Sequence, residues 1–344
     1  MTARSQSADL LKGTAVLFMI QVHILELFSS PYTYNSSLGK ASLFLGAAPV
    51  APLFMVILGY FIVSTGKTTT QQIIRGIKIF CLGMLLNILL NLNLILSVNK
   101  DVYQIDLLPY IFGVDILQFA GISIIVIALL KKVFEKYLYF IILCIFLSAF
   151  LGQFLLNYIP ENVALKYISA AFYGSVKWSY FPLFPWLSYP LTGIAFYYLN
   201  QRYDLMKLLE GKIKLVFGAL FLLFLVFTIK YGISVSADLP LYYHHGVLFF
   251  VWAITFLFFY VFFIDKINRS LGGTVLFKYV KWMGENVTII YVIQWVVIGN
   301  VATEIYKTIS SPMVLLACFL VVVIVSSGIT YLGVKLKEHL TKKI

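Results

Sequence analysis

Asp9-Leu-Leu-Lys12-Gly13-Thr-Ala-Val-Leu-Phe-Met19-Ile-Gln21-Val-His23-Ile-Leu-Glu26 lies in the first long apolar run of the chain, residues 10–30. About 20 mostly apolar residues in helical form cross the hydrocarbon of a bilayer. Nine further runs of that kind follow, at 43–64, 73–96, 109–130, 137–157, 180–199, 214–231, 245–264, 286–306 and 312–334. Short polar segments with turn residues separate them, such as Ser64-Thr65-Gly66-Lys67 and Ser310-Ser311-Pro312. No soluble domain, low-complexity linker or internal repeat interrupts the series. The expected fold is therefore all-α and membrane-embedded, a single polytopic domain over residues 1–344 with about ten transmembrane helices.

Composition points the same way. Of 344 residues, 61% are hydrophobic and only 12% are charged, about half the roughly 25% charged share of globular domains. A soluble protein of this size has too little polar surface to cover that much apolar material. Lipid removes the difficulty.

The net charge of +12 raises the question of nucleic acid, and the distribution of the charge answers it. Lys12 and its neighbours at the N-terminus, Lys67, Arg75 and Lys78 in the second connection, Lys131, Lys132 and Lys136 in the fourth, and the basic C-terminal tail all fall on one side. Across alternate connections, twenty basic residues lie on that side and six on the other: Lys40, Lys100, Lys166, Lys177, Lys230 and Lys307. The positive-inside rule then places both termini in the cytoplasm. Topological bias, with attraction to anionic lipid, accounts for the basic balance, and no nucleic-acid partner is expected. The first run carries no cleavage pattern and leads directly into further spans, so it is expected to be retained. Cys81, Cys144 and Cys318 sit inside apolar runs without metal-ligand spacing, as buried thiols acting as small hydrophobes.

Ionisable residues at membrane depth are costly and default to functional hypotheses. Eleven steps of ~100° bring Lys12 and His23 onto one helix face, and a ~1.5 Å rise sets His23 about 20 Å above Asp9. Asp9 and Glu26 lie three residues from Lys12 and His23 respectively, close to the same face. Asp9 is expected to pair with Lys12. Two readings of His23 stand. It hydrogen-bonds a neighbouring helix for packing, or it is a general base, since imidazole titrates near neutrality. Glu26 either orients and stabilises that ring or is an interfacial residue.

The segment Asp9-Leu-Leu-Lys12-Gly13 followed by His23 resembles the first helix of membrane acyltransferases related to acyltransferase 3. More narrowly, it is similar to the bacterial relatives of heparan-α-glucosaminide N-acetyltransferase. Lys12 stands where that family usually has Arg, which keeps the charge and loses the bidentate fork. Other stretches match in order along the chain: Phe54 to Gly59-Tyr60, Phe112-Gly113-Val-Asp115-Ile-Leu-Gln118, Phe181-Pro-Leu-Phe-Pro185-Trp186, and Gly284-Glu-Asn286 through Tyr291 to Gln294.

The resemblance implies transfer of an acyl group, acetyl from acetyl-CoA, to a carbohydrate or glycan acceptor on the far side of the membrane. The donor is made in the cytoplasm and carries phosphate charges, which Lys12, Lys67, Arg75 and Lys78 are placed to meet; topological bias alone also accounts for them. Asn286, Tyr291 or Gln294 is a candidate donor to the oxyanion. Asp115 and Gln118, at the outer end of the fourth span, are candidates for acceptor binding. So are Trp186 and the pair His244-His245 with Tyr243 beside it; the alternatives for the histidines are interfacial placement or a metal, for which no partner ligands are visible. No metal is expected. Membrane lipid is the surrounding partner, and the short loops favour a bacterial inner membrane. A transporter or flippase for a small molecule or lipid-linked sugar is the rival class. It also fits an ionisable residue at depth, and Pro182, Pro185 and Pro190 interrupt the sixth run.

Overall fold

The structure, a computed structural model, describes residues 6–174, 176–203, 205 and 213–341. Arg4, Lys207, Lys212, Lys342 and Lys343, which contribute to the charge asymmetry, lie outside the described residues. Regular structure among the described residues is helical, with two isolated bridges, Ser29 to Ile309 and Val114 to Ser179. In chain order the helices begin with α1 (Gln6–Phe28), α2 (Pro31–Asn35), α3 (Ser37–Ala47), α4 (Ala51–Ser64), α5 (Thr69–Leu90), α6 (Leu92–Asn99), α7 (Leu108–Ile111), α8 (Ile116–Lys136) and α9 (Leu138–Phe154). They continue with α10 (Val163–Phe172), α11 (Leu183–Trp186), α12 (Ser188–Tyr203), α13 (Ile213–Ala237), α14 (Leu239–Tyr243), α15 (Val247–Leu271), α16 (Val275–Glu285), α17 (Val287–Ile305) and α18 (Pro312–Thr341).

Among the described residues, eight helical stretches are long and apolar enough to cross a bilayer: Gln6–Phe28, Ser37–Ser64, Thr69–Leu90, Ile116–Lys136, Leu215–Ala237, Val247–Leu271, Val287–Ile305 and Pro312–Leu340. The protein is an all-α integral membrane protein. Two expected spans come out differently. The fifth is α9, a 17-residue helix that reaches about 25 Å at 1.5 Å per residue. The sixth is broken into α11 and α12. Phe184 there leaves helical geometry (φ −104°, ψ 124°), as expected of a residue before a proline, which also lacks the helical N–H. Cysteine placement differs as well: Cys81 is exposed on the surface of α5, and Cys144 and Cys318 are half-buried.

The described chain divides into two compact units. The first comprises Met1–Val50, Ile88–Leu107 and Phe263–Ile344. In it α1 packs against α3, α16, α17 and α18. The approach to α16 is close because glycine faces backbone on both sides. A Cβ at Gly13 would overlap the Val280 carbonyl, and one at Gly284 would overlap the Asp9 carbonyl. Small residues at such crossings let helices meet where lipid supplies no hydrophobic drive. A bulkier side chain at either glycine would push α16 off the N-terminal half of α1.

The second unit comprises Ala51–Asn87 and Leu108–Phe262. Here α12 packs against α4 and α9, α4 against α8, and α11 against α9. The start of α8 is fixed by a capping box: the Asp115 carboxylate accepts from Ile116 N at 2.6 Å and Gln118 Oε1 accepts from Asp115 N at 3.2 Å. These contacts satisfy backbone donors that a helix start leaves open. The buried Asn87 amide donates to the carbonyls of Ile111 and Gly113 at 3.0 and 2.8 Å, pinning the segment before the cap.

Candidate active site

In the first unit, α1 carries His23 within its span and α17 brings Gln294 to it. His23 Nδ1 lies 3.3 Å from Gln294 Oε1. A carboxamide oxygen only accepts, so Nδ1 carries the proton and Nε2 is left as a lone pair. No described residue hydrogen-bonds Nε2, and His23 as a whole residue is half-buried. The indole of Trp295 stacks on the imidazole with centroids 3.8 Å apart and an interplanar angle of 28°. The ring is thus fixed at one nitrogen and one face while its basic nitrogen stays unbonded. Two donors close by lack hydrogen-bond partners among the described residues: Gln294 Nε2 and Trp295 Nε1, both buried. Buried donors without acceptors are costly, and an acceptor-rich ligand or water reaching them would remove that cost.

The other expected residues of this unit divide. Lys12 pairs with the buried Asp9 at 2.7 Å, as expected, which occupies the charge read as a phosphate contact. Glu26 is half-buried one turn beyond His23, and Gln294 is the residue that meets Nδ1 of the ring. Asn286 caps the junction of α16 and α17, donating to Trp282 O at 2.9 Å. Tyr291 is buried one turn before Gln294. Trp295 was not singled out in the sequence. Its only mark there is adjacency to Gln294, and adjacent helical positions point about 100° apart.

In the second unit, Lys67 stands in the turn after α4, and Arg75 and Lys78 lie three apart on α5, a spacing that puts them on neighbouring faces. Lys67 and Lys78 are exposed and Arg75 is half-buried. None of the three forms an ion pair among the described residues. Asp115 and Gln118 are committed to the capping box described above.

Trp186 and His245 are both 0% exposed. His245 Nδ1 lies 2.7 Å from Tyr242 O and therefore donates, while Nε2 lies 2.9 Å from the Tyr189 hydroxyl and accepts from it. Trp186 Nε1 donates to Tyr243 O at 2.7 Å, and Trp186 and Phe249 meet the imidazole edge-on. With both nitrogens taken and no surface open, His245 holds the α14 turn onto α12. His244 is half-buried beside it. Burial in this turn, which lies outside the candidate spans, pushes both imidazoles down to about 4. Among the described residues there is no cluster of three or more His, Cys, Asp or Glu able to hold a metal.

Fold and composition are those of a polytopic α-helical membrane protein with an imidazole inside its first span. The chain belongs to the heparan-α-glucosaminide N-acetyltransferase catalytic family, whose model matches residues 4–224. It is accordingly a transmembrane acetyltransferase acting on carbohydrate. The matched stretch contains Lys12 and His23 and ends before Gln294 and Trp295. Comparison with curated proteins and with solved structures returns no match.

Proposed function

We propose that the chain moves an acetyl group from cytoplasmic acetyl-CoA to a hydroxyl or amine of a carbohydrate acceptor on the outer side, with His23 as general base. The observation that carries this reading is the engagement of His23 Nδ1 by Gln294, which leaves Nε2 unprotonated and unbonded. As the acceptor oxygen or nitrogen attacks the thioester carbonyl, Nε2 takes its proton. The carbonyl re-forms as the C–S bond breaks, and the CoA thiolate takes the proton from the imidazolium, leaving acetylated acceptor and free CoA thiol. Gln294 Nε2 and Trp295 Nε1, buried without acceptors, are suited to hydrogen-bond the oxyanion between those events. Glu26 supplies a countercharge to the imidazolium, and Trp295 covers one face of it.

Lys67, Arg75 and Lys78 carry the charges proposed to meet the donor's phosphates. The excess of basic residues on one side supports cytoplasmic termini, in a bacterial inner membrane. Asn286 and Tyr291, which precede Gln294 on the same stretch of chain, are proposed to assist at the oxyanion.

Purified full-length protein supplied with acetyl-CoA and a glucosamine-terminated acceptor should release free thiol in step with acetylated sugar. A transporter would release none. His23→Ala should lower that release by about 10²- to 10⁴-fold at an unchanged melting temperature. Retained release would remove His23 from the chemistry.

A further inference from the structure

Between α5, which ends at Leu90, and α6, which begins at Leu92, Asn91 leaves helical geometry (φ −102°, ψ 14°). In an unbroken helix Asn93 N would donate to Leu89 O, four residues back. The carboxamide of Asn300, from α17, stands in that place. Asn93 N donates to Asn300 Oδ1 at 2.7 Å, and Asn300 Nδ2 donates to Leu89 O at 2.8 Å. A side chain inserted into the i→i−4 ladder is an identifiable cause of a helix break. This one satisfies both of the backbone groups it separates.

The junction is tied in other ways. Asn300 Nδ2 also lies 2.8 Å from Val296 O on its own helix. Asn93 Nδ2 returns the contact, donating to Asn300 O at 3.2 Å and to Glu304 Oε1 at 3.1 Å. At Gly299 an added Cβ would crowd the Leu90 carbonyl, so the two backbones approach closely there. All of these residues belong to the first unit, together with His23 and Gln294.

Six residues lie between Gln294 and Asn300 in register. At ~100° and ~1.5 Å per residue they stand about 120° apart around α17 and ~9 Å apart along it. The helix is therefore gripped on two faces. Gln294 meets His23 Nδ1 on α1 at 3.3 Å, and Asn300 is inserted at the α5–α6 junction. A single contact leaves a helix free to roll about it; two contacts on different faces fix its rotation and its height.

We infer that Asn300 is a positioning residue for the reaction, locking the rotation of α17 so that Gln294 meets Nδ1 of His23. The inference rests on the acetyl-transfer reading of His23 and extends the site's support to a side chain that touches no reacting atom.

The test is a double-variant cycle on purified full-length protein, with acetyl-CoA and a glucosamine-terminated acceptor, paired with nitrogen NMR of isotope-labelled imidazoles. Asn300→Leu, close in volume and without hydrogen bonds, should lower kcat about tenfold with KM little changed, as expected of Gln294→Leu. The two combined should stay about tenfold below native, because the lock then has nothing to hold. Independent effects would multiply to about a hundredfold. That multiplied loss, a native kcat in Asn300→Leu, or a raised KM at unchanged kcat overturns the inference. If Asn300→Leu fails to fold, Asn93→Ala takes its place in the cycle. It should lower kcat about threefold alone and not at all on top of Gln294→Leu; a native kcat or a multiplied loss again overturns the inference. In the NMR measurement native His23 should show one protonated and one bare ring nitrogen, and Asn300→Leu should mix the two tautomers. A His23 ring that Asn300→Leu leaves unchanged overturns the inference. Because that readout needs no turnover, an Asn300-dependent tautomer in a chain that transfers no acetyl group counts against the His23 reaction alone.

Discussion

His23 and His245 each sit among aromatic rings in one of the two units, and they are engaged differently. His245 donates from Nδ1 to a carbonyl, accepts at Nε2 from Tyr189 and has no open surface. His23 donates from Nδ1 to Gln294, stacks one face on Trp295 and leaves Nε2 unbonded in a half-buried residue. A histidine with both nitrogens bonded inside a sealed cluster contributes to the fold, because moving its proton would break two hydrogen bonds in a dry site. A histidine with one nitrogen fixed and the other unbonded has its tautomer set and a lone pair left uncommitted. That is the arrangement acid–base chemistry needs.

This contrast is testable in three further ways. The largest expected effect is at His245. His245→Ala should cost about 3 kcal/mol or more of stability, from the cavity left by a ring and the unpaired groups around it. It would read as a lowered melting temperature, whereas His23→Ala should melt like the native protein. Equal melting of the two variants would erase the distinction.

Next comes pH. Burial holds His245 at about 4 against an ordinary 6.5. Between those values the unfolded chain binds a proton that the folded chain refuses, so stability falls as pH drops through that window. One such proton gives a slope of about 1.4 kcal/mol per pH unit. Melting temperatures followed from pH 7 to 5 should fall in the native protein and fall less steeply in His245→Asn.

The smallest expected effect is at Gln294. Gln294→Leu removes the acceptor for His23 Nδ1 and should lower kcat about tenfold with little change in KM. Gln294→Glu, which still accepts, should retain more of the rate. A Leu variant with native kcat would leave the ring oriented by something else.

The fold was legible where a single run of apolar residues carried the signal. Eight expected spans correspond to helices long enough to cross, because the cost of exposed backbone in lipid forces such runs into helix whatever they pack against. The sixth run, apolar throughout by hydropathy but interrupted by Pro182, Pro185 and Pro190, breaks in the structure at Phe184. Asp115-Ile-Leu-Gln118, a candidate for acceptor binding, also has the spacing of a capping box, and the structure forms that box. His244 and His245 show the opposite limit, since adjacent residues gave no hint that one would be sealed and the other half-buried.

Legible from residue order alone are the membrane-embedded all-α class, the Asp9–Lys12 pair and the presence of an imidazole within the first span. Each follows from spacing along one helix and from the energetic cost of charge in hydrocarbon. Which nitrogen of that imidazole is held, by an amide 271 positions away, and that Trp295 covers its face, follow from the packing of distant helices. Such pairings depend on which faces of distant helices meet, and close packing at Gly13 and Gly284 sets how closely α16 approaches α1, a relation no local periodicity encodes.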